Sequence, residues 1–294
     1  MKPYLSVVIP TYNRAEKLER TLEHLHDQSL SSESYEIIVV NDGSTDETEA
    51  LLKKWSAKNP RLHVFHQKNA GQGVARNHAL KKAEGKITLF IGDDIYGSPD
   101  FLLNHVRFHQ DHPEENQACL GLTEWEEPAT LFMRWLTHGG PQFAYGDLTA
   151  DQPADFWYFY TSNLSIKTSL LKKESFDEDF KGYGWEDIEL GYRLERHHHL
   201  KLIYAPQALA THDHAMEEKD LERKMLAIGR TASTFQKKHP ELQVIPRGLK
   251  KNTLTLISSR PTLALLKILS PILGKNPYWY ALSKRYFLRG VDSL

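Results

Sequence analysis

Short, mostly apolar runs alternate with amphipathic stretches through the first hundred residues. "LSVVIP" (5–10) and "YEIIVVND" (35–42) predict buried strands, and "RLHVFHQ" (61–67) and "KITLFIG" (86–92) a third and a fourth strand. Between them, "RAEKLERTLEHLHDQSL" carries Leu18, Leu22 and Leu25 at helical spacing. "STDETEALLKKWSAK" predicts a second helix, with Ser44 or Thr45 as N-cap and acids in its first turn, where the helix dipole favours them. "GQGVARNHALKKAEG" predicts a third, entered through glycines and closed by Gly85.

Strand–helix–strand repetition with such short loops implies parallel strands joined by right-handed crossovers. In open parallel sheets, ligands bind beyond the carboxyl ends of the strands. Those ends carry Thr11, Tyr12, Asn13 and Arg14, then Asn41 and Asp42, then Asn69 to Gly73, then Asp93 and Asp94. All four are polar.

After residue 100 the pattern loosens. "SPDFLLNHVRFHQDHPE" predicts a helix from near Pro99 and "ACLGLTEWEE" a strand. Residues 125–160 are rich in aromatics and glycine and show no clear period. "YTSNLSIKTSLL" predicts a strand running into a helix, and "GYGWEDIELGYRLERHHH" turns helical near Trp185. "LKLIYAP" predicts a strand, "ALATHDHAM" a loop, and 216–239 a long helix.

Composition adds limits. The chain has 294 residues, 40% apolar and 26% charged, ordinary for a globular protein. A net charge of −1 gives no global field for a nucleic-acid partner, so none is expected. One cysteine, Cys119, excludes an intrachain disulfide and a cysteine-based zinc site, and fits a reducing compartment. The N-terminal apolar run is too short for a signal-peptide core, and no stretch reaches the roughly 18–20 apolar residues that span a bilayer.

The chemistry-bearing residues each have a bland alternative. Asp42 could bond a base or ribose, or close an Asx turn in "NDGST". Tyr12 could stack on a nucleobase or pack on the following helix. Arg76 could meet a phosphate or be a surface helix charge. Asp93 and Asp94 offer the oxygen ligands that Mg²⁺ and Mn²⁺ prefer, yet a lone "GDD" is an ordinary turn. His212 and His214 in "THDH" suit Mn²⁺ beside carboxylates, or are solvated. His197, His198 and His199 end a helix, where cations suit the dipole, and read as structural. Glu186 and Asp187 fall at a helix N-terminus, which by itself favours carboxylates, or supply a general base. Glu189 and Arg193 form a structural i,i+4 pair.

Taken together and in order, "VVIPTYNR", "VVNDGSTDET", "NAGQGVARNHAL", "LFIGDD" and "GYGWEDIELGYRL" resemble the family 2 glycosyltransferases of the GT-A fold, over roughly residues 4–214. The block from "NLSIKTSLL" through "GYRL" is similar to the galactosyltransferase-type C-terminal part of that fold. The resemblance implies an α/β fold with a Rossmann-like, mostly parallel sheet flanked by helices and a C-terminal helical extension. It implies a domain over 1–240, divided into a nucleotide-binding half (1–98) and an acceptor and catalytic half (99–240), followed by the extension 241–294. It also implies inverting transfer of a sugar from a nucleotide-sugar donor, UDP-linked, to the hydroxyl of a glycan or lipid-linked acceptor. By similarity, Pro10, Tyr12, Arg14, Asp42, Arg76 and Asp93 line the donor site. Asp94 and His212 hold Mn²⁺ or Mg²⁺, with His214 the alternative to His212. Asp187 is the catalytic base, and Glu186 bonds donor sugar or acceptor.

This chain departs from the family at Gly92, where many relatives carry an Asp. The tail mixes Leu and Ile with Lys, Arg, Trp and Tyr, which suits a helix lying on an anionic membrane or helices packed back on the domain. The corresponding location is cytoplasmic, with peripheral contact at the inner membrane face through the tail. A nucleotidyltransferase and a non-catalytic sugar-nucleotide-binding module are the competing functions; the "WEDIELGYRL" block has no role in the first.

Overall fold

The computed structural model describes residues 2–138 and 140–293. In chain order the elements are β1 (Leu5–Thr11), α1 (Ala15–His26), β2 (Tyr35–Asn41), α2 (Thr48–Ser56), β3 (Leu62–His66), α3 (Gln72–Leu80), β4 (Ile87–Ile91), β5 (Ile95–Gly97), α4 (Phe101–Asp111), β6 (Gln117–Trp125), α5 (Leu131–Thr137), β7 (Pro153–Ala154), β8 (Asn163–Lys167), α6 (Thr168–Lys173), α7 (Glu186–His198), β9 (Lys201–His212), α8 (Asp220–Lys238), α9 (Gly248–Ile257), α10 (Arg260–Leu273) and α11 (Asn276–Val291).

The chain divides into two compact units. The first comprises 1–129, 143–178 and 186–215; the second comprises 130–142, 179–185 and 216–294. The division after residue 215 differs from the expected boundary at 240. The reason lies in α8, which crosses α11 so closely that a Cβ on Gly229 would lie 2.9 Å from the Gly290 Cα. The helix predicted over 216–239 thus belongs with the tail.

In the first unit one sheet runs β3-β2-β1-β4-β8-β6-β9-β5, with β7 added on β9. The first four strands of the chain, β1 to β4, are all parallel, as their short crossovers require. Beyond β4 the order becomes mixed: β8 is antiparallel to β4 and β6, β5 is antiparallel to β9, and β6 and β9 are parallel. The expectation of a mostly parallel sheet therefore holds for β1 to β4 and not beyond them. β1, β2 and β4 are buried at every position, which is why they read as continuous apolar runs. Apolar side chains on the two faces form separate cores. One gathers Val8, Val40, Phe90 and Leu164, and the other gathers Ile9, Val39, Leu89 and Phe101.

Three local expectations change. Ser44 and Thr45 do not cap α2; they bond Asn13, while Asp46 accepts from the Thr48 amide at 3.1 Å. Helix α3 ends at Leu80, and Gly85 serves a close approach instead, its amide donating to Ser6 Oγ at 2.9 Å. The "ALATH" that opens the expected loop is strand: β9 continues to His212, which pairs with Ile95 and Trp125.

Candidate active site

The first unit collects its polar residues where the parallel strands end. β1 and β4 pair only as far as Val8 and Phe90. Pro10, buried two residues later, has no N–H to extend a ladder, and the chain after β4 is free to turn. On that turn Asp93 and Asp94 are both buried. Asp93 accepts from Thr11 Oγ1 at 2.8 Å, and its backbone carbonyl accepts from Thr21 at 2.9 Å. Arg14 Nη1 lies 3.1 Å from Asp93 Oδ1 and 2.5 Å from Asp94 Oδ2.

Asp94 Oδ2 also lies 3.4 Å from His212 Nε2 and 3.5 Å from His214 Nδ1. One donor atom from each of Asp94, His212 and His214 falls within 4.8 Å of the others. Two imidazoles and one carboxylate make a set that fits a divalent cation. The expected alternatives, His212 and His214, thus both reach Asp94. The His212 ring is held between Trp125 (centroids 5.0 Å apart) and His214 (5.4 Å), with Phe143 at 5.5 Å.

Burial and the neighbouring Asp94 charge raise the Asp93 carboxyl to about 6. Asp94 is shifted the other way. Burial works against its charge, but His212, then His214 and Arg14, outweigh it and hold the group well below the ordinary carboxylate range.

Gly92 bears on this geometry. A Cβ there would meet Asp94 Oδ1 at 2.7 Å, so the missing side chain leaves space that the Asp94 carboxylate uses.

Asp42 is buried, and its carboxylate organises the third strand end. Oδ1 accepts from Gln67 Nε2 (2.8 Å) and the Ala70 amide (2.9 Å), and Oδ2 accepts from the Gly71 amide (2.9 Å). Gly71 precedes α3 at φ +98°, a conformation glycine adopts without strain. A carboxylate has about four acceptor positions, so these three leave one. Tyr12 is 47% exposed, as a stacking platform needs.

Arg76 is not a surface charge. It is buried on α3, with Nη1 3.2 Å from Glu186 Oε1, Nη2 donating to Gln72 Oε1 at 3.0 Å, and its guanidinium over the Phe176 ring. Among the described residues, Arg76 Nε and Glu186 Oε2 have no hydrogen-bond partner. Next to Glu186, Asp187 Oδ1 accepts from the Ile188 amide at 2.9 Å, and Oδ2 lies 3.5 Å from the Thr161 amide. Burial, with the Glu186 charge adding, raises Asp187 to about 7. Adjacent acids at one helix end thus differ in surroundings: Glu186 is paired with Arg76, and the Asp187 carboxyl is raised by burial.

The glycosyl transferase family 2 model matches residues 6–178, more than half of the chain. The chain belongs to this family. Validoxylamine A glucosyltransferase of Streptomyces hygroscopicus subsp. jinggangensis (strain 5008) is 29% identical over 277 residues, covering 82% of this family 2 chain and 62% of its own length. The chain therefore spans about three-fifths of that curated relative. Among solved structures, the mannosyltransferase PcManGT from Pyrobaculum calidifontis in complex with GDP-Man and Mn²⁺ matches with TM-score 0.65 at 18% identity, over 99% of this chain and 87% of that one. S. aureus TarS 1–349 in complex with UDP matches with TM-score 0.57 at 20% identity, over 100% and 91%. These likenesses show the GT-A fold.

One group in this family 2 chain escaped sequence reading. Asp213, between the two histidines, receives Tyr96 Oη (2.7 Å) and Arg20 Nη1 (2.9 Å) on Oδ2, and Lys17 Nζ lies 3.0 Å from Oδ1. Its amide donates to the Asp94 carbonyl at 2.9 Å. The end of β9 and the loop that follows it, carrying His212 and His214, are thereby tied to α1 and to the Asp94 turn. The available signal was weak: two cations three apart on α1 and an acid flanked by histidines. His197 and His198 lie against Glu174, and Arg193 bonds Glu189, as structural roles require.

Proposed function

We propose that the protein transfers a sugar from a nucleotide-sugar donor, UDP-linked in this reading, to a hydroxyl of a glycan or lipid-linked acceptor, inverting the anomeric carbon. The reading places it in polysaccharide, glycan or glycolipid biosynthesis, in the cytoplasm or at the inner membrane face. The buried Cys119 fits that reducing compartment.

The observation that carries the reading is the pairing of two acidic centres with opposite tuning. Asp94 is held ionised beside two imidazoles, and Asp187 is raised to about 7. Inverting transfer needs both kinds. Asp187 takes the acceptor proton as the acceptor oxygen bonds the anomeric carbon; the bond from that carbon to the diphosphate oxygen breaks, and the nucleoside diphosphate leaves with the electron pair. Asp94, His212 and His214 would hold the divalent cation, Mn²⁺ or Mg²⁺. When bound, that cation neutralises charge on the diphosphate as a Lewis acid. Glu186 Oε2 has capacity to accept from a sugar or acceptor hydroxyl.

In this reading Tyr12 stacks on the base, Asp42 offers its remaining acceptor position, and Pro10 shapes the strand end. Arg14, already bound at Asp93 and Asp94, is available to the diphosphate. The solved relatives named with GDP-Man and with UDP support a nucleotide-sugar donor without fixing its base. The test is a screen of UDP- and GDP-sugars with Mn²⁺ or Mg²⁺, read by thermal shift and by product. Nucleoside diphosphate as product supports transfer; pyrophosphate would make the protein a nucleotidyltransferase. Donor binding without turnover, with acceptors supplied, would favour a binding module.

A further inference from the structure

The second unit leaves apolar side chains in solvent on two consecutive helices. On α9 they are Leu249 (85% exposed) and Leu256; on α10 they are Leu265, Ile268 (74%) and Ile272 (82%), continuing into Leu273. Residues 265, 268 and 272 are spaced three and four apart, so they form one stripe along α10. The opposite side of α10 is the packed one, with Leu263 buried. The stripe is therefore not the core side of the helix.

Charge says what fits it. Residues 242–291 hold nine Lys and Arg and no Asp or Glu, in a chain whose net charge is −1. Arg247, Lys250, Arg260 and Lys267 are exposed and make no ion pair among the described residues. Arg260 and Lys267, seven apart, share one side of α10, away from the apolar stripe itself.

We infer that α9 and α10 form a docking surface for an anionic lipid leaflet, lying in its interface rather than crossing it. The apolar stripe enters the headgroup boundary while the exposed cations of α9, α10 and the residue before α9 meet lipid phosphates. Among the described residues no single helix is long and apolar enough to cross a membrane. Taken together α9 and α10 would have the length and the composition, but they bend by 51° at the break between them. Such a pair suits the surface of a bilayer. The inference does not depend on the transfer reaction.

The test is flotation of the full chain with vesicles of phosphatidylcholine alone and of phosphatidylcholine with phosphatidylglycerol. The anionic vesicles are expected to carry on the order of tenfold more protein or better, and added salt to erode the difference. Leu265→Gln/Ile268→Gln/Ile272→Gln changes only exposed positions and is expected to lose flotation at an unchanged melting temperature. Arg260→Gln/Lys267→Gln is expected to lose the preference for anionic vesicles. Absence of the wild-type chain from anionic vesicles, or equal flotation of the triple variant, would overturn the inference. So would a wild-type dimer that the triple variant converts to monomer without vesicle binding, since the stripe would then cover a second copy.

Discussion

Arg76 and Glu186 form a buried ion pair, 3.2 Å apart, that joins the middle of α3 to the first turn of α7 across 110 residues of chain. It links the strand end carrying Asp42 and Gly71 to the helix end carrying Asp187. Removing one partner leaves an uncompensated buried charge. Arg76→Leu is expected to destabilise the fold by about 3–5 kcal/mol, and Arg76→Leu/Glu186→Leu to recover most of that loss. Urea unfolding of the two variants checks this; a single variant within 1 kcal/mol of wild type, on that same scale, speaks against a structural role for the pair.

Asp187, raised to about 7, has to be ionised to accept a proton. Its ionised fraction grows as pH rises through that value. The initial rate is expected to climb roughly tenfold per pH unit below about 7 and to level off above it. A flat profile from pH 5.5 to 8, tested by initial rates in buffers of matched ionic strength, would remove Asp187 as the titrating base.

Gly92→Ala is expected to displace the Asp94 carboxylate, because the new Cβ would fall 2.7 Å from Oδ1. That oxygen ends a side chain that can move, so the cost falls on cation binding more than on folding. Mn²⁺ affinity, read by electron paramagnetic resonance of the free ion, is expected to drop about tenfold or more. Unchanged affinity would show that the space beside Gly92 does not matter to Asp94.

His105 and His109 on α4 are buried neutral. His105 bonds Ser165 Oγ and Asn163 Oδ1, and Lys167 Nζ lies 3.0 Å from His109 Nδ1. Burial depresses both rings, His105 to about 4 and His109 well below its ordinary value. The unfolded chain therefore takes up these protons first. Their contribution is complete above about pH 6.5 and is lost as pH falls toward 4, at ~1.4 kcal/mol per pH unit for each proton. Asp93 and Asp187, raised in the fold, bind protons there and oppose this trend. The test is thus a difference: the stability gap between wild type and His105→Gln is expected to narrow as pH falls from 6.5 to 4.5. A gap that stays constant with pH would mean that His105 is not held neutral.

Much of this site was legible because the runs ending at Pro10, Asn41 and Ile91 are buried on both faces, and an apolar run that stops at a polar residue marks a strand end. The resemblance then gave roles to Asp94, Asp187 and His212, and the structure brings Asp94 and His212 together. What stayed hidden depends on distance along the chain. Arg20 meets Asp213 over 193 residues, and Arg76 meets Glu186 over 110; local periodicity carries no signal for either. The end of β9 was missed because "ATH" pairs on both sides through partners, Gly97 to Ile95 and Thr123 to Trp125, that are themselves remote.

The claim that Asp187 is the base of a sugar transfer is tested most directly by Asp187→Asn. The measurement pairs donor-induced thermal shift with nucleoside diphosphate release, for wild type and variant, across UDP- and GDP-sugars with Mn²⁺. The account predicts that the variant keeps the shift and loses release by about 10²–10⁴-fold. A near-normal rate in the variant would contradict it.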